Sequence, residues 1–131
     1  MSIPRRWWKF LAILWTILIL VGTLMPQGDW VQGVERGGRW IQIPYFDKVV
    51  HFTLFAGFVV LWWLASDSPR ARLVAILAAG LALAALTELG QAIPFLKRDA
   101  GLDDLAADLA GCVLAAAGVL WLARRRVPAS A

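Results

Sequence analysis

Four stretches of the chain stay apolar for longer than a buried soluble helix requires, and the breaks between them carry polar or helix-stopping residues. The runs cover residues 7–25, 49–65, 73–89 and 105–123. Crossing about 30 Å of hydrocarbon takes roughly 20 helical residues, or a few fewer when interfacial residues help. Pro26 and Gly28 follow the first run, Ser66 to Pro69 the second and Pro94 the third, all of them signals that end a helix. The pattern predicts an all-α integral membrane bundle of four transmembrane helices, forming a single domain over residues 1–131. No internal repeat is visible beyond the alanine and leucine bias of the third and fourth runs.

Composition agrees, since 60% hydrophobic residues and a mean hydropathy of +0.68 are too apolar for a soluble domain of this length. The first run follows Arg5, Arg6 and Lys9 and so has some character of a secretory signal. It is longer than an h-region of about 7 to 15 residues and no small-x-small site follows it, so it is expected to remain as a span. Cys112 is the single cysteine and lies inside the fourth run. An intramolecular disulfide is therefore excluded, and a lone cysteine carries no information on the redox compartment.

Charge sets the expected orientation. Of 13 basic residues, Arg5, Arg6, Lys9, Arg70, Arg72, Arg124, Arg125 and Arg126 fall on one side of the four-span arrangement; Arg36, Arg39, Lys48, Lys97 and Arg98 fall on the other. On the first side only Asp67 opposes them. The positive-inside rule then places both termini and the Ser66 to Arg72 loop in the cytoplasm. The net charge of +4 is thus a topology signal, supplemented by anionic lipid near Arg124 to Arg126, and nucleic acid is not an expected partner. Trp7, Trp8, Trp62, Trp63 and Trp121 map to the cytoplasmic headgroup level, Trp30 and Trp40 to the outer loop, and Trp15 to mid-span. Residues 25–46 mix aromatics with Gln32, Glu35, Arg36 and Arg39, which suits a segment lying on the membrane surface as well as it suits an irregular connection.

Ionisable groups inside spans cost about 2.5–3.5 kcal/mol each at a helix centre and need a reason to be there. Asp47 and His51 share one helix face at the outer start of the second span, Glu88 and Gln91 at the outer end of the third, and Asp104 and Asp108 at the outer start of the fourth. With alternating helix directions the three pairs fall at one depth, within about two turns of the outer surface. Lys48 and Arg98 would reach that layer from its edges. Asp47 and Asp104 are equally readable as N-caps, and each of the others alone as a structural hydrogen-bonding residue. Capping does not account for His51, Glu88 and Asp108, which lie one turn deeper together.

Asp47-Lys48-Val49-Val50-His51-Phe52, then Glu88-Leu89-Gly90-Gln91, then Arg98, then Asp104 to Gly111 resemble in order and spacing the motifs of the VanZ-like family of bacterial membrane proteins. Those motifs read D-K-x-x-H-F, E-x-x-Q, R and D-x-x-x-N-x-x-G, and the resemblance spans residues 43–118. Asp108 departs from it, where the family more often has Asn. The resemblance implies a small multi-span envelope protein, named after a member associated with low-level teicoplanin resistance, and supplies no established reaction.

Three functions are compatible with the layer. It would bind an anionic lipid headgroup or a cell-wall lipid precursor, with Lys48 and Arg98 on phosphate and Asp47, His51, Glu88, Gln91, Asp104 and Asp108 orienting the rest. Alternatively it would act as a hydrolase or transferase on a lipid-linked substrate, with His51 as acid or base oriented by Glu88 or Asp108. No serine or cysteine nucleophile motif accompanies these residues. One histidine among carboxylates, without a tight motif such as H-E-x-x-H, does not predict a metal, and no cofactor is expected. Ion or proton transport would need an oligomer, because the inner halves of the spans carry no polar path. Gly80, Ala84, Gly111, Ala115 and Gly118 offer small-residue faces for close contact within the bundle or between copies in a homo-oligomer.

Overall fold

The computed structural model describes residues 3–24, 45–93 and 101–125. Of the expected connection over residues 25–46, residues 25–44, with Trp30 and Trp40, lie outside the described residues, as do Lys97, Arg98 and Arg126, while Tyr45 and Phe46 form the cap and first residue of the next helix. Helices α1 (Arg5–Leu24), α2 (Phe46–Ala65), α3 (Pro69–Gln91) and α4 (Leu102–Arg125) make up almost all of the described chain. Each is long and apolar enough to cross a membrane, with 20 to 24 residues spanning about 30–36 Å.

Helices α2, α3 and α4 run further than the apolar runs at the end that carries Asp47, Lys48, Gln91, Asp103 and Asp104. A hydropathy window drops such residues, whereas Lys48, Gln91, Asp103 and Asp104 find partners in neighbouring helices. Asp47 and Asp104 are accordingly not N-caps. Tyr45 holds the cap of α2 in the left-handed region with φ 65°. At α4 the Gly101 carbonyl accepts the first backbone bond, from Asp104 N–H at 3.0 Å. Both aspartates sit inside the first turn, where the helix dipole favours a negative charge. Pro69 starts α3 in the first helical turn, where its missing N–H costs nothing.

Side-chain contacts at the two ends establish an up-down-up-down bundle. At one end Arg5 of α1 pairs with Asp67, between α2 and α3, at 2.6 Å, and Arg70 of α3 donates to the Ala123 carbonyl of α4 at 2.9 Å. The Arg5 guanidinium, with Lys9 behind it, holds the Asp67 carboxyl below its ordinary range. Both members of the Arg5–Asp67 pair are more than half exposed, so it orients the helix ends more than it stabilises them. At the other end Gln91 Nε2 donates to the Thr23 carbonyl of α1 at 3.1 Å, and the first turns of α2 and α4 meet. The parallel pair α2 and α4 makes the most extensive contact, and α1 packs on α2 and less on α3.

The interior is built from Ile19, Phe55, Phe58, Val59, Ile76 and Ala84, together with buried polar groups, while Val74, Leu86, Leu89 and Leu114 lie on the outside. Such a surface suits lipid. Trp15, expected mid-span, donates its indole N–H to the Leu54 carbonyl at 2.8 Å, with its ring laid over Gly57. Trp62 and Trp63, expected as headgroup anchors, turn into the bundle: Trp62 Nε1 donates to Thr16 Oγ1 at 3.2 Å and Trp63 joins the core. Trp7 and Trp121 remain exposed, and the Arg125 guanidinium lies 3.7 Å over the Trp121 ring.

Gly80, Ala84 and Gly111 are buried inside the bundle. A Cβ on Gly111 would collide with the Phe52 carbonyl oxygen and stand 3.1 Å from Ala56 N. Only hydrogen at this position lets the α2 and α4 backbones meet. Gly118, one heptad on, is exposed with nothing within 4 Å of such a Cβ. Gly111→Ala should therefore destabilise the bundle by about 1–3 kcal/mol and Gly118→Ala by less than about 0.5 kcal/mol. Thermal denaturation of the two variants in detergent checks the contrast.

Candidate functional site

The close approach at Gly111 brings the first two turns of α2 alongside those of α4. Lys48 lies where these helices start, and its ammonium meets three carboxylates: Asp104 at 2.5 Å, Asp47 at 2.8 Å and Asp103 at 2.9 Å. Asp104 is largely buried, its side chain 14% exposed, whereas Asp47 and Asp103 face outward. One positive charge thus answers three negative ones. Asp103 was not singled out by the sequence pattern. Its adjacency to Asp104 in the first turn of an apolar helix was the available signal.

One turn deeper, His51 Nδ1 stands 3.0 Å from Asp108 Oδ1. The Asp108 side chain is fully buried and that of His51 is 10% exposed. A carboxylate acceptor favours the proton on Nδ1 and leaves Nε2 with a lone pair in the neutral ring. Helix α3 adds Glu88, whose Oε2 accepts the Gly101 backbone N–H at 3.0 Å. That bond satisfies one of the amide groups that a helix start leaves without an intrahelical partner and ties the end of α3 to the beginning of α4.

One ligand atom from each of His51, Glu88 and Asp108 lies within 4.8 Å of the other two. The sequence expectation that these three share a layer therefore becomes a single cluster. Glu88 Oε1 and Asp108 Oδ2 are buried and have no hydrogen-bond partner among the described residues. Buried polar groups are paired as a rule; among the described residues each carboxylate uses one oxygen and leaves the other open. A closed, fully satisfied network would have used all four.

Gln91 is at the same depth and buried, but its amide N–H₂ goes to the Thr23 carbonyl. Its visible role is to join α3 to α1. Arg98 lies outside the described residues. Cys112, one turn beyond Asp108, is buried with its Sγ 4.0 Å from the Phe55 carbonyl and touches no member of the cluster through a described bond. Two larger grooves, of about 750 Å³ and 530 Å³, have apolar linings that include Val60, Leu64 and Leu122 in one and Phe58, Leu83 and Leu86 in the other. Neither is lined by a residue of the polar layer.

Loss of Lys48 would leave Asp104 charged and largely out of water. Lys48→Ala should cost about 1–3 kcal/mol of stability, and Asp104→Asn in the same chain should recover part of the loss. A double-mutant cycle on thermal stability should give a coupling of about 1 kcal/mol or more; additive effects would contradict the contact. Comparisons of the chain with protein-family models, with curated proteins and with solved structures found no match, so the chemistry of this cluster is read from its own geometry.

Proposed function

We propose that this chain is a VanZ-like integral protein of the bacterial cytoplasmic membrane, with both termini in the cytoplasm. In this reading its polar layer faces the outer leaflet and acts on the headgroup of a lipid-linked cell-wall precursor. The observation that carries the reading is the buried His51–Asp108 pair at 3.0 Å with Glu88 beside it. A pair of that kind is suited to acid–base work: the imidazole takes a proton from an attacking hydroxyl or water and returns it to the leaving oxygen. Asp108 would orient the ring and stabilise its charged form, as carboxylates do for imidazoles in hydrolytic sites. Placement at a helix-end layer, rather than mid-span, suits a substrate whose headgroup enters from the membrane surface while its lipid tail stays among the exposed leucines. A link to glycopeptide susceptibility follows from the same resemblance.

Headgroup capture without a reaction, resting on Lys48 and Arg98, is the second reading. The three carboxylates around Lys48 leave that ammonium a poor partner for phosphate, which is why the acid–base reading is preferred. His51→Gln and Asp108→Asn should each reduce turnover of lipid-linked precursors by purified protein at least about 100-fold and remove any change in teicoplanin susceptibility that the wild type confers on a host. Full activity in His51→Gln would sink the acid–base reading. Headgroup capture would survive His51→Gln and be lost in Arg98→Gln.

Orientation has its own test. In a Cys112→Ala background, Tyr45→Cys should react with a membrane-impermeant maleimide added outside intact cells, and Ser68→Cys only after the membrane is opened. The reverse pattern would invert the bundle.

A further inference from the structure

We propose that His51, Glu88 and Asp108 bind a divalent transition-metal ion of zinc or manganese type at the end of the bundle where α2 and α4 begin. The inference rests on reading this cluster as a functional site, and it adds an ion to which the sequence gives no motif.

Charge is the first consideration. Glu88 and Asp108 are two carboxylates in one buried layer, and the only described cation near them, Lys48, is already within 2.9 Å of three other carboxylates. Burying two negative groups together is costly unless a cation or protons compensate them. A divalent ion neutralises both at once, with the neutral imidazole as a third ligand that adds no charge.

Geometry is the second. Ligand atoms of the three residues fall within 4.8 Å of one another. The His51 Nδ1 to Asp108 Oδ1 separation of 3.0 Å is also that of adjacent ligands around an ion with bonds of about 2.1 Å. The same contact therefore serves as a hydrogen bond or, with Nδ1 deprotonated, as one edge of a coordination sphere. Glu88, from α3, supplies the third corner of the triangle.

The third observation points to a ligand independently of the cluster itself. Asp108 is fully buried, yet its Oδ2 has no partner among the described residues, and Glu88 Oε1 is in the same state. Meanwhile the other oxygen of Glu88 is anchored by Gly101 N–H, which holds that carboxylate in place as outer hydrogen bonds hold metal ligands. One nitrogen and two carboxylate oxygens form a borderline donor set, which suits zinc or manganese better than calcium. Three protein ligands leave coordination positions open for water or a substrate oxygen. A metal at this point would also let a net negative layer accept an anionic headgroup, which its own residues would repel.

The test uses the full chain purified in detergent, stripped with EDTA and titrated with Mn²⁺ followed by electron paramagnetic resonance, and with Zn²⁺ followed by calorimetry. The wild type should bind about one equivalent and show a metal-dependent rise in Tm. Glu88→Gln and Asp108→Asn keep side-chain size, and each should weaken binding at least about tenfold and lose the rise in Tm while still melting cooperatively. Wild-type protein that binds neither ion, or variants that bind as well as the wild type, would overturn the proposal. In the first of those cases another cation, such as an arginine side chain or a proton, answers the carboxylates. Binding is measured without substrate, so its failure is separate from failure of the acid–base reading: a metal-free protein with a His51-dependent turnover refutes only the ion, and a metal-loaded protein without turnover refutes only the reaction.

Discussion

The contact between Gly111 and the Phe52 carbonyl governs the rest of the bundle. It joins two parallel helices, α2 and α4, at a distance that a methyl group would prevent. Parallel neighbours are held in register along their whole length, so bringing residues 52 and 111 together also aligns 48 with 104 and 51 with 108. Helix α3 then has to run antiparallel between them in the chain, which delivers Glu88 to the same level. Without a hydrophobic driving force between helices in lipid, close backbone approach and buried hydrogen bonds are the available sources of association, and here they occupy the same interface.

The layer that results divides into two shells of different character. At the surface, Lys48 compensates Asp104 and draws in Asp47 and Asp103, a cluster that fixes where α2 and α4 begin. Beneath it, Glu88 and Asp108 are incompletely paired among the described residues. Stability is served by the first shell, and the second carries an energetic cost that a folded bundle alone does not require. Proteins tolerate such a cost where a ligand or a reaction uses it. Asp108 sharpens the point, because an asparagine there could be satisfied more cheaply than a carboxylate.

Span number and the depth of the polar residues were readable in advance because both follow from helical rise and from the length of apolar runs. The grouping of His51, Glu88 and Asp108 was readable for the same reason, since spacings of three and four residues preserve a face. Helix ends were read short by up to four residues, because charged first turns look like loops to hydropathy. The destinations of individual polar groups were less accessible. Gln91 shares a face with Glu88 yet bonds to α1, and Trp62 sits at an interfacial depth yet turns its indole N–H to Thr16. Rotation of each helix about its axis decides these cases, and that rotation depends on which neighbour offers an unpaired carbonyl or hydroxyl.

The bond from Gly101 N–H to Glu88 has a bearing on how the protein enters the membrane. Helix α3 carries Glu88 near its trailing end, and the described group that answers that carboxylate is the N–H of Gly101, the residue preceding α4. Until that residue arrives, the third helix presents a carboxyl group to lipid with no partner on its own length, whereas Asp108 on the fourth helix emerges after its partner, His51 on the second. Release of the helices one at a time would therefore expose Glu88 before its partner. Entry of α3 and α4 together, as a hairpin against an α2 already in place, would spare Glu88 that exposure.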